Sequence, residues 1–199
     1  MPSRSHNDAG IVIPLRSFTL GKARLAAVLS EPEREALARS MAECVVNAAG
    51  DRPVVIISSA PEVVVWARAR ECDVIDDPGS LDGSAAAGRD WAAARGLPRY
   101  AVVHADLPLA ESLDAVVSDG ADLVAVIVPD HRDDGTPVLS LPTLVPFTFA
   151  YGPDSAARHA EEARRRALVV RIVRDAALAF DVDLAADLAE LEARRSRTR

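Results

Sequence analysis

The sequence contains few of the residues that build disulfide-bonded, metal-thiolate or membrane-spanning proteins. Only two of its 199 residues are cysteines, Cys44 and Cys72, and their spacing is not that of metal ligands. Its apolar runs fall short of the roughly 18 residues of a membrane span. The first ten residues are polar and lack the apolar core of a signal peptide. We therefore expect a cytoplasmic protein without a membrane partner, in which both cysteines are reduced packing residues.

The chain also lacks an excess of positive charge. Its formal net charge of −7 argues against a nucleic-acid partner, which would require a basic face. The basic stretch at residues 193–199 predicts a solvated C-terminal tail, and the polar residues 1–10 predict a disordered N-terminal segment. Residues 11–192 are expected to form one domain, because no Pro/Gly/Ser-rich linker divides them. Such a domain can still bind a single nucleotide, which needs only a local positive cluster.

Aromatic residues make up only 4% of the chain, whereas apolar residues reach 49%. The core is therefore expected to consist of small and branched side chains. Strand-like and helix-like runs alternate, which predicts an α/β fold: a Rossmann-like three-layer sandwich with a mostly parallel sheet. The predicted strands are 11–15, 54–58, 74–75, 100–104, 123–128, 138–141 and 169–173. The predicted helices are 32–49, 61–70, 84–95, 112–118, 154–166 and 184–195.

Two apolar, strand-like runs end abruptly in carboxylates. Asp106 follows the run at residues 100–105, and Asp181 and Asp183 follow the run at residues 177–180. Ligands of open α/β sheets bind outside the carboxyl ends of the strands, where carboxylates and substrate phosphates can hold Mg²⁺. An extended segment would place Asp181 and Asp183 on the same side. The pattern predicts a site for one or two Mg²⁺ ions; the alternative is that Asp183 caps the last helix and the other two are exposed turn residues.

A second candidate feature is the basic loop that follows the first predicted strand. Arg16, Lys22 and Arg24 lie within residues 13–25, just before a helix. Fixed cations and backbone N–H groups in such a loop suit a polyphosphate. The loop matches neither a P-loop nor the Gly-x-Gly-x-x-Gly fingerprint, and the alternative is a solvated basic loop.

A third candidate feature joins two later segments. Thr136 lies beside the flexible Gly135, and Gly152 and Ser155 stand at the start of the helix predicted at 154–166. Backbone N–H groups at a helix start favour an anion. The segments predict a pocket for a phosphorylated or carboxylated small acid; the alternative is a plain helix start capped by Ser155.

The sequence offers no side-chain nucleophile. It contains no Gly-x-Ser-x-Gly elbow, and its four histidines share no metal-ligand spacing, so each is interpreted as a structural histidine. Phosphoryl-type transfer needs no such nucleophile, because positioning and neutralisation of charge by Mg²⁺ and cations drive it.

Taken in chain order, these features resemble the 2-phospho-L-lactate or phosphoenolpyruvate guanylyltransferases of coenzyme F(420) biosynthesis, whose fold is nucleotide-diphospho-sugar transferase-like. The resemblance extends from Ile11 to about Leu188. The matching stretches are Ile-Pro-Leu-Arg (13–16), Lys-Ala-Arg-Leu (22–25), Asp-Pro-Gly-Ser-Leu-Asp (77–82), Ala-Asp-Leu-Pro-Leu (105–109), Pro-Asp (129–130), Asp-Gly-Thr (134–136), Phe-x-Tyr-Gly-Pro-Asp-Ser-x-x-x-His (149–159) and Asp-Val-Asp (181–183). Each stretch is moderately specific, and their order makes the set distinctive.

The resemblance implies that GTP and a phosphorylated C3 acid form a guanylylated diphosphate and pyrophosphate. It assigns Mg²⁺ binding to Asp106, Asp181 and Asp183, and binding of the phospho-acid to Thr136, Gly152 and Ser155. It assigns the nucleotide to Arg16, Lys22, Arg24, Gly79, Leu81 and Asp82, and catalysis to Asp106, Lys22 and Arg24.

The chain departs from the family pattern at three positions. Arg16 stands in place of the usual Lys, Asp82 in place of Asn, and Pro137 in place of Asn. Two alternatives remain open at this point: another nucleotidyltransferase of the same fold with a different nucleotide or acceptor, and a non-catalytic nucleotide-binding module. An apolar helix face is compatible with a homodimer as well as with a core.

Overall fold

The computed structural model describes residues 9–117 and 123–197, and within them seven strands form one sheet with helices on both faces. The strands are β1 (Ala9–Pro14), β2 (Val54–Ile57), β3 (Asp73–Ile75), β4 (Arg99–Val103), β5 (Val124–Val128), β6 (Val138–Pro142) and β7 (Val169–Ile172). The helices are α1 (Glu31–Ala48), α2 (Pro61–Arg68), α3 (Leu81–Ala94), α4 (Asp114–Val117), α5 (Ser155–Arg165) and α6 (Ala185–Arg197). Most of the predicted N-terminal segment, Ser118 at the predicted end of α4, and the last two residues of the predicted tail lie outside the described residues.

The sheet has the order β3-β2-β1-β4-β6-β5-β7. All pairs are parallel except those of β6, which runs antiparallel to β4 and β5. The connection from β5 to β6 contains no helix, so the chain returns as an antiparallel neighbour instead of crossing over. The predicted α/β class and mostly parallel sheet are confirmed.

Alternation along the strands divides the core between the two faces of the sheet. Ile11 and Ile13 of β1 belong to the apolar cluster beneath α1, α2 and α4. Val12, between them, belongs to the cluster beneath α3 and α5. Helix α6 adds a smaller cluster in which Leu191 packs with Met41 of α1. The three-layer arrangement thus follows from strands that are apolar on both sides, as the aliphatic composition predicts.

Local chemistry sets several element boundaries. Ser30 and Glu33 form a reciprocal capping box at the start of α1. Helix α3 begins at Leu81, three residues before the prediction, because the Ser80 hydroxyl accepts the N–H of Gly83. Strand β1 starts at Ala9, two residues before the prediction, because it pairs with β4 from that residue on.

The apolar, strand-like run at residues 177–180 does not form a strand. Residues 176–179 form a turn, in which the Asp175 carboxylate accepts the N–H groups of Ala177 and Leu178. A local side-chain acceptor of this kind competes with strand pairing. Helix α6 continues to Arg197 and so includes most of the stretch predicted to be a tail. Within the described residues, no helix is both long and apolar enough to cross a membrane.

Helix α3 passes so close to β1 that a glycine is required at position 88. A methyl carbon on Gly88 would lie 2.2 and 2.6 Å from the two γ-carbons of Val12 and 2.9 Å from its β-carbon. Because the β-carbon is itself too near, a different rotamer of Val12 could not relieve the overlap. Glycine at this position therefore fixes the distance between α3 and the sheet.

We expect Gly88→Ala to lower the free energy of unfolding by about 1–3 kcal/mol, the usual cost of overpacking a core. Urea-induced unfolding of the variant and the wild-type protein would measure the difference. Helix propensity alone predicts that Gly88→Ala would raise the free energy of unfolding. The control is Ala87→Gly at a partly exposed position, which should lower the free energy of unfolding by about 1 kcal/mol. A Gly88→Ala protein as stable as the wild type would contradict the close contact.

Candidate active site

The candidate site lies at the carboxyl ends of β1 and β4, which are neighbours in the sheet. The chain proceeds from β1 outward to β2 and β3 on one side, whereas β4 lies on the other side of β1. This reversal of strand order opens a crevice in α/β sheets, and ligands bind there. The loop after β1 and the residues after β4 therefore meet at the position that the fold favours for a ligand.

A groove runs along this edge of the sheet. One depression of about 290 Å³ is lined by residues that include Lys22, His104, Asp106 and Asp183. A second depression of about 320 Å³ lies towards the start of α3. Both are lined by Pro14, Arg16 and Leu81. Together they make an elongated groove in the size range of small-molecule sites.

Lys22 connects three separate segments at the bottom of the groove. Its Nζ donates to Asp106 Oδ2 at 2.6 Å and to Asp183 Oδ1 at 2.8 Å. The backbone of Lys22 is left-handed, with φ 58°, a conformation that costs energy in residues other than glycine and recurs at functional sites. Lys22 is also the only lysine among 23 basic residues.

The charges at this point are strongly coupled. Burial alone would lower the pKa of Lys22, but the carboxylates of Asp106 and Asp183 outweigh it and raise that pKa. Burial opposes ionisation of Asp106 as well, yet Lys22 holds the pKa of Asp106 below its ordinary value. Burial raises the pKa of Asp181, and the charges of Asp106 and Asp183 raise it further. Three carboxylates and one ammonium leave an excess of negative charge, which favours an additional cation.

Asp183 reaches the groove from a segment without regular secondary structure and not, as predicted, from the end of a strand, and Asp181 lies beside it without lining either depression. Phe180 and Val182 are buried against Leu25 on one side of this segment. Their packing turns the alternating Asp181 and Asp183 to the other side, as predicted for an extended segment. The carboxylate of Asp183 accepts from Lys22.

Asp183 does not cap the last helix, which was the alternative to a metal site. The capping acceptor is Asp187, whose Oδ2 accepts the N–H groups of Asp183 and Leu184 at 3.0 and 2.8 Å. Asp187 thereby leaves the Asp183 carboxylate available to the groove.

The carboxylates fit a hard divalent cation. Across residues 9–117 and 123–197, no group of three or more His, Cys, Asp and Glu side chains already has the arrangement of a metal site; Lys22 Nζ lies between two of the three carboxylates. However, the Oδ1 atom of Asp106 is buried without a hydrogen-bond partner in the described part of the chain, and that of Asp181 has only ion-pair contacts without hydrogen-bond geometry, at 3.2 Å from His131 Nδ1 and 3.6 Å from Arg132 Nη1. Buried carboxylate oxygens without partners are costly, and a hard cation that prefers oxygen ligands would satisfy them.

The residues expected to meet the nucleotide are only partly brought together. Arg16 donates to Asp77 Oδ2 at 3.1 Å and to the carbonyl oxygen of Gly79, joining the two loops that flank the groove. Leu81 lines the groove at the start of α3. Arg24 is exposed on a short 3₁₀ turn and does not line either depression.

The residues expected to bind the acid form a buried polar cluster. The hydroxyls of Thr136 and Ser155 lie 3.0 Å apart, and each residue is only 1% exposed. His159 completes the cluster: its Nε2 accepts the N–H of Ala150, and its Nδ1, protonated by that assignment, donates to Thr136 at 3.1 Å. Burial lowers the pKa of His159 to about 4, so the ring is neutral at pH 7. Only Gly152, in a left-handed conformation with φ 105°, is exposed.

The polar cluster and the groove are joined through residues 82, 104 and 151. Asp82 Oδ1 accepts the N–H of Tyr151 at 2.8 Å, tying the start of α3 to the segment before α5. The ring of Tyr151 lies 4.7 Å from that of His159 and 5.7 Å from that of His104. His104 lines the groove. The two predicted sites are therefore neighbouring parts of one region.

Sequence reasoning missed residues that the structure places at the site. His104 was interpreted as structural, yet it lies in the groove; its position two residues before Asp106 is the signal that could have indicated this. Arg132 and Asp187 bond to each other beside Asp181 and Asp183. Arg132 is far from those aspartates in the sequence, so no sequence pattern indicated that it lies beside them. Asp187 follows the Asp-Val-Asp motif closely, and this proximity could have indicated its place near the site.

Comparisons with known proteins agree with this geometry. The family model described as "Guanylyl transferase CofC like" matches residues 9–198. The phosphoenolpyruvate guanylyltransferase of Sphaerobacter thermophilus is 36% identical over 187 residues, covering 90% of each chain. The 3-phospho-D-glycerate guanylyltransferase of Phenylobacterium zucineum is 33% identical over 196 residues, covering 92% of this chain and 89% of that one. A solved nucleotidyl transferase from Methanothermobacter has a TM-score of 0.68 at 12% identity, covering 96% of this chain and 99% of that one, a likeness of fold.

The family match spans nearly the whole described chain and includes the loop after β1, the end of β4 and the segment before α6. It confirms the resemblance that the ordered motifs predicted, and the solved structure agrees with the predicted nucleotidyltransferase fold. The chain is a nucleotidyltransferase and belongs to the CofC-like guanylyl transferase family.

Proposed function

We propose that the protein transfers GMP from GTP to a phosphorylated C3 acid and releases pyrophosphate, in coenzyme F(420) biosynthesis in the cytoplasm. The observation that carries the proposal is the coupled group of Lys22, Asp106 and Asp183 in the groove between β1 and β4, with Asp181 beside it. Phosphoenolpyruvate is the first candidate acceptor, because it is the acceptor named for the relative that is 36% identical. 3-Phosphoglycerate is the second, named for another relative, and 2-phospho-L-lactate is the third.

The reaction needs no protein nucleophile. A phosphate oxygen of the acid forms a bond to the α-phosphorus of GTP, and the bond from that phosphorus to the bridging oxygen of the β-phosphate breaks. Pyrophosphate leaves with that electron pair, and no proton has to be transferred. The protein therefore contributes orientation and neutralisation of charge.

Asp106, Asp181 and Asp183 would hold Mg²⁺, which supplies Lewis-acid neutralisation of the phosphate oxygens when it is bound. The Lys22 ammonium would move from Asp106 and Asp183 to the triphosphate, because a lysine on a flexible stem can follow the negative charge. Arg16 stands at the mouth of the groove, where its exposed guanidinium can meet a phosphate.

The acid would bind between His104 and the start of α5. Thr136 and Ser155 would support this region from within the fold, since their buried hydroxyls are already engaged with each other. Gly152 forms its exposed surface, and the guanidinium of Arg158 lies so close that a methyl group on Gly152 would come within 3.6 Å of Nη2. Arg158 thus offers a cation to the carboxylate of the acid. The homodimer that an apolar helix face allows stays a proposal.

The first test is pyrophosphate release from GTP with Mg²⁺, with phosphoenolpyruvate, 3-phosphoglycerate and 2-phospho-L-lactate supplied separately. We expect release that depends on one of these acids and is strongest with phosphoenolpyruvate. ATP and CTP provide the nucleotide control, needed because Asp82 replaces Asn in the nucleotide loop. Release that needs no acid, or none with any of the three, would contradict the proposal.

Asp106→Asn is expected to lower turnover at least ~100-fold, since lost electrostatic stabilisation of this kind is worth roughly 3 kcal/mol. The measurement is kcat for pyrophosphate release at saturating substrates. Asp51→Asn, which removes the same charge from an exposed turn, should leave kcat unchanged. Near-normal turnover of a folded Asp106→Asn protein would remove Asp106 from the metal site.

Lys22→Gln is expected to have opposite effects on turnover and on metal affinity. Turnover should fall because the triphosphate loses a cation, whereas the nucleotide-free protein should bind Mn²⁺ at least about tenfold more tightly. The second effect follows because hydrogen bonds to charged groups, worth roughly 1.5–3 kcal/mol each, no longer compete for Asp106 and Asp183. Arg24→Gln is the control for metal affinity, which it should not change. A Lys22→Gln protein with weaker Mn²⁺ binding would show that the ammonium does not compete with the metal.

A further inference from the structure

Asp187 is a buried carboxylate at the start of α6 that does not line the groove. It is only 6% exposed, and burying a charge is costly unless it is bonded. Its Oδ2 accepts the N–H groups of Asp183 and Leu184, and its Oδ1 accepts from Arg132 Nη2 at 2.7 Å. Both oxygens are therefore used to hold neighbouring groups in place.

Arg132 extends this arrangement to the other aspartate of the segment. While Nη2 binds Asp187, Nη1 lies 3.6 Å from Asp181 Oδ1. The planar fork of a guanidinium suits two acceptors held at fixed positions. His131 lies on the same side, with Nδ1 3.2 Å from Asp181 Oδ1 and Nε2 3.6 Å from Asp187 Oδ1.

The backbone that carries Arg132 is itself fixed. The Asp130 carboxylate accepts three N–H groups, those of Arg132, Asp134 and Gly135. The N–H of His131 donates to the carbonyl oxygen of Ala179, in the turn that precedes Asp181. Arg132 is therefore presented from a loop with little freedom to move, and this rigidity allows it to orient another side chain.

We propose that Arg132 and Asp187 are positioning residues that hold Asp181 and Asp183 in the geometry required to bind a divalent cation. Asp187 fixes the backbone of Asp183, and Arg132 links Asp187 to the carboxylate of Asp181. This inference rests on one part of the proposed function, namely that the carboxylates of Asp181 and Asp183 are metal ligands. Groups that orient metal ligands from outside typically contribute 10–100-fold to metal affinity.

Because Arg132 and Asp187 carry opposite charges, the effects of removing each residue on cation affinity distinguish a positioning role from a purely electrostatic one. If only charge mattered, loss of the Arg132 cation would strengthen binding of a divalent cation, and loss of the Asp187 anion would weaken it. If both residues position the ligands, loss of either one weakens binding. The sign of the effect of Arg132 therefore decides between the two explanations.

The experiment titrates the full-length, nucleotide-free protein with Mn²⁺ and follows free Mn²⁺ by electron paramagnetic resonance. We expect Asp187→Asn and Arg132→Gln each to raise the Kd for Mn²⁺ about tenfold. Arg174→Gln and Glu161→Gln are matched controls: Arg174 pairs with Asp133 at 2.7 Å, and Glu161 of α5 pairs with Arg165 at 3.2 Å. Exposed pairs of this kind contribute little, so both controls should keep the wild-type Kd.

Three outcomes would overturn the proposal: tighter or unchanged Mn²⁺ binding by Arg132→Gln, unchanged binding by a folded Asp187→Asn protein, or no Mn²⁺ binding by the wild type. Thermal unfolding establishes that each variant is folded. Arg132 is partly exposed, so its variant decides the question if Asp187→Asn fails to fold. Failure of the guanylyl transfer itself is recognised separately, since it would abolish acid-dependent pyrophosphate release from the wild type while leaving the Mn²⁺ result intact.

Discussion

The arrangement of the site depends on one interaction, the Lys22 ammonium held between Asp106 and Asp183. Asp106 and Asp183 lie 84 and 161 positions after Lys22 in the chain. The three residues come from the loop after β1, the end of β4 and the segment before α6. Like charges brought so close in a partly buried place would repel each other, so a cation is needed to hold them. The same requirement explains why the segment before α6 is anchored to this edge of the sheet and why a divalent cation is a suitable further ligand.

Around this centre, well-packed parts of the fold support the groups that we propose to bind substrates. Gly88 allows α3 to lie directly on β1, and the start of α3 carries Leu81 and Asp82 to the groove. Asp82 in turn holds the backbone of Tyr151, next to the cluster of Thr136, Ser155 and His159. The nucleotide and acid parts of the proposed site are thus tied to each other by hydrogen bonds, which suits a reaction whose rate depends on holding two phosphates in line.

The similarities to named guanylyltransferases concern the whole domain, and the names of these relatives differ in the acceptor. The relative named for phosphoenolpyruvate is 36% identical to this chain and the relative named for 3-phospho-D-glycerate is 33% identical. Overall sequence identity therefore does not distinguish between the two acids as acceptor. The residues proposed to meet the acid are local features of this chain, with Pro137 directly after Thr136 and the guanidinium of Arg158 beside Gly152.

The sequence by itself determined the order of the elements, the mostly parallel sheet and the family, because apolar periodicity and the ordered motifs depend on local chain chemistry. It also indicated that Asp181 and Asp183 share a side, since alternation in an extended segment is a local property. Only the tertiary structure decided that this segment is not a strand, that β6 runs antiparallel, and that Thr136 and Ser155 are buried. It also revealed His104 in the groove and Arg132 bonded to Asp187. These features arise from contacts between residues far apart in the chain, and no local pattern encodes which distant partner a side chain will meet.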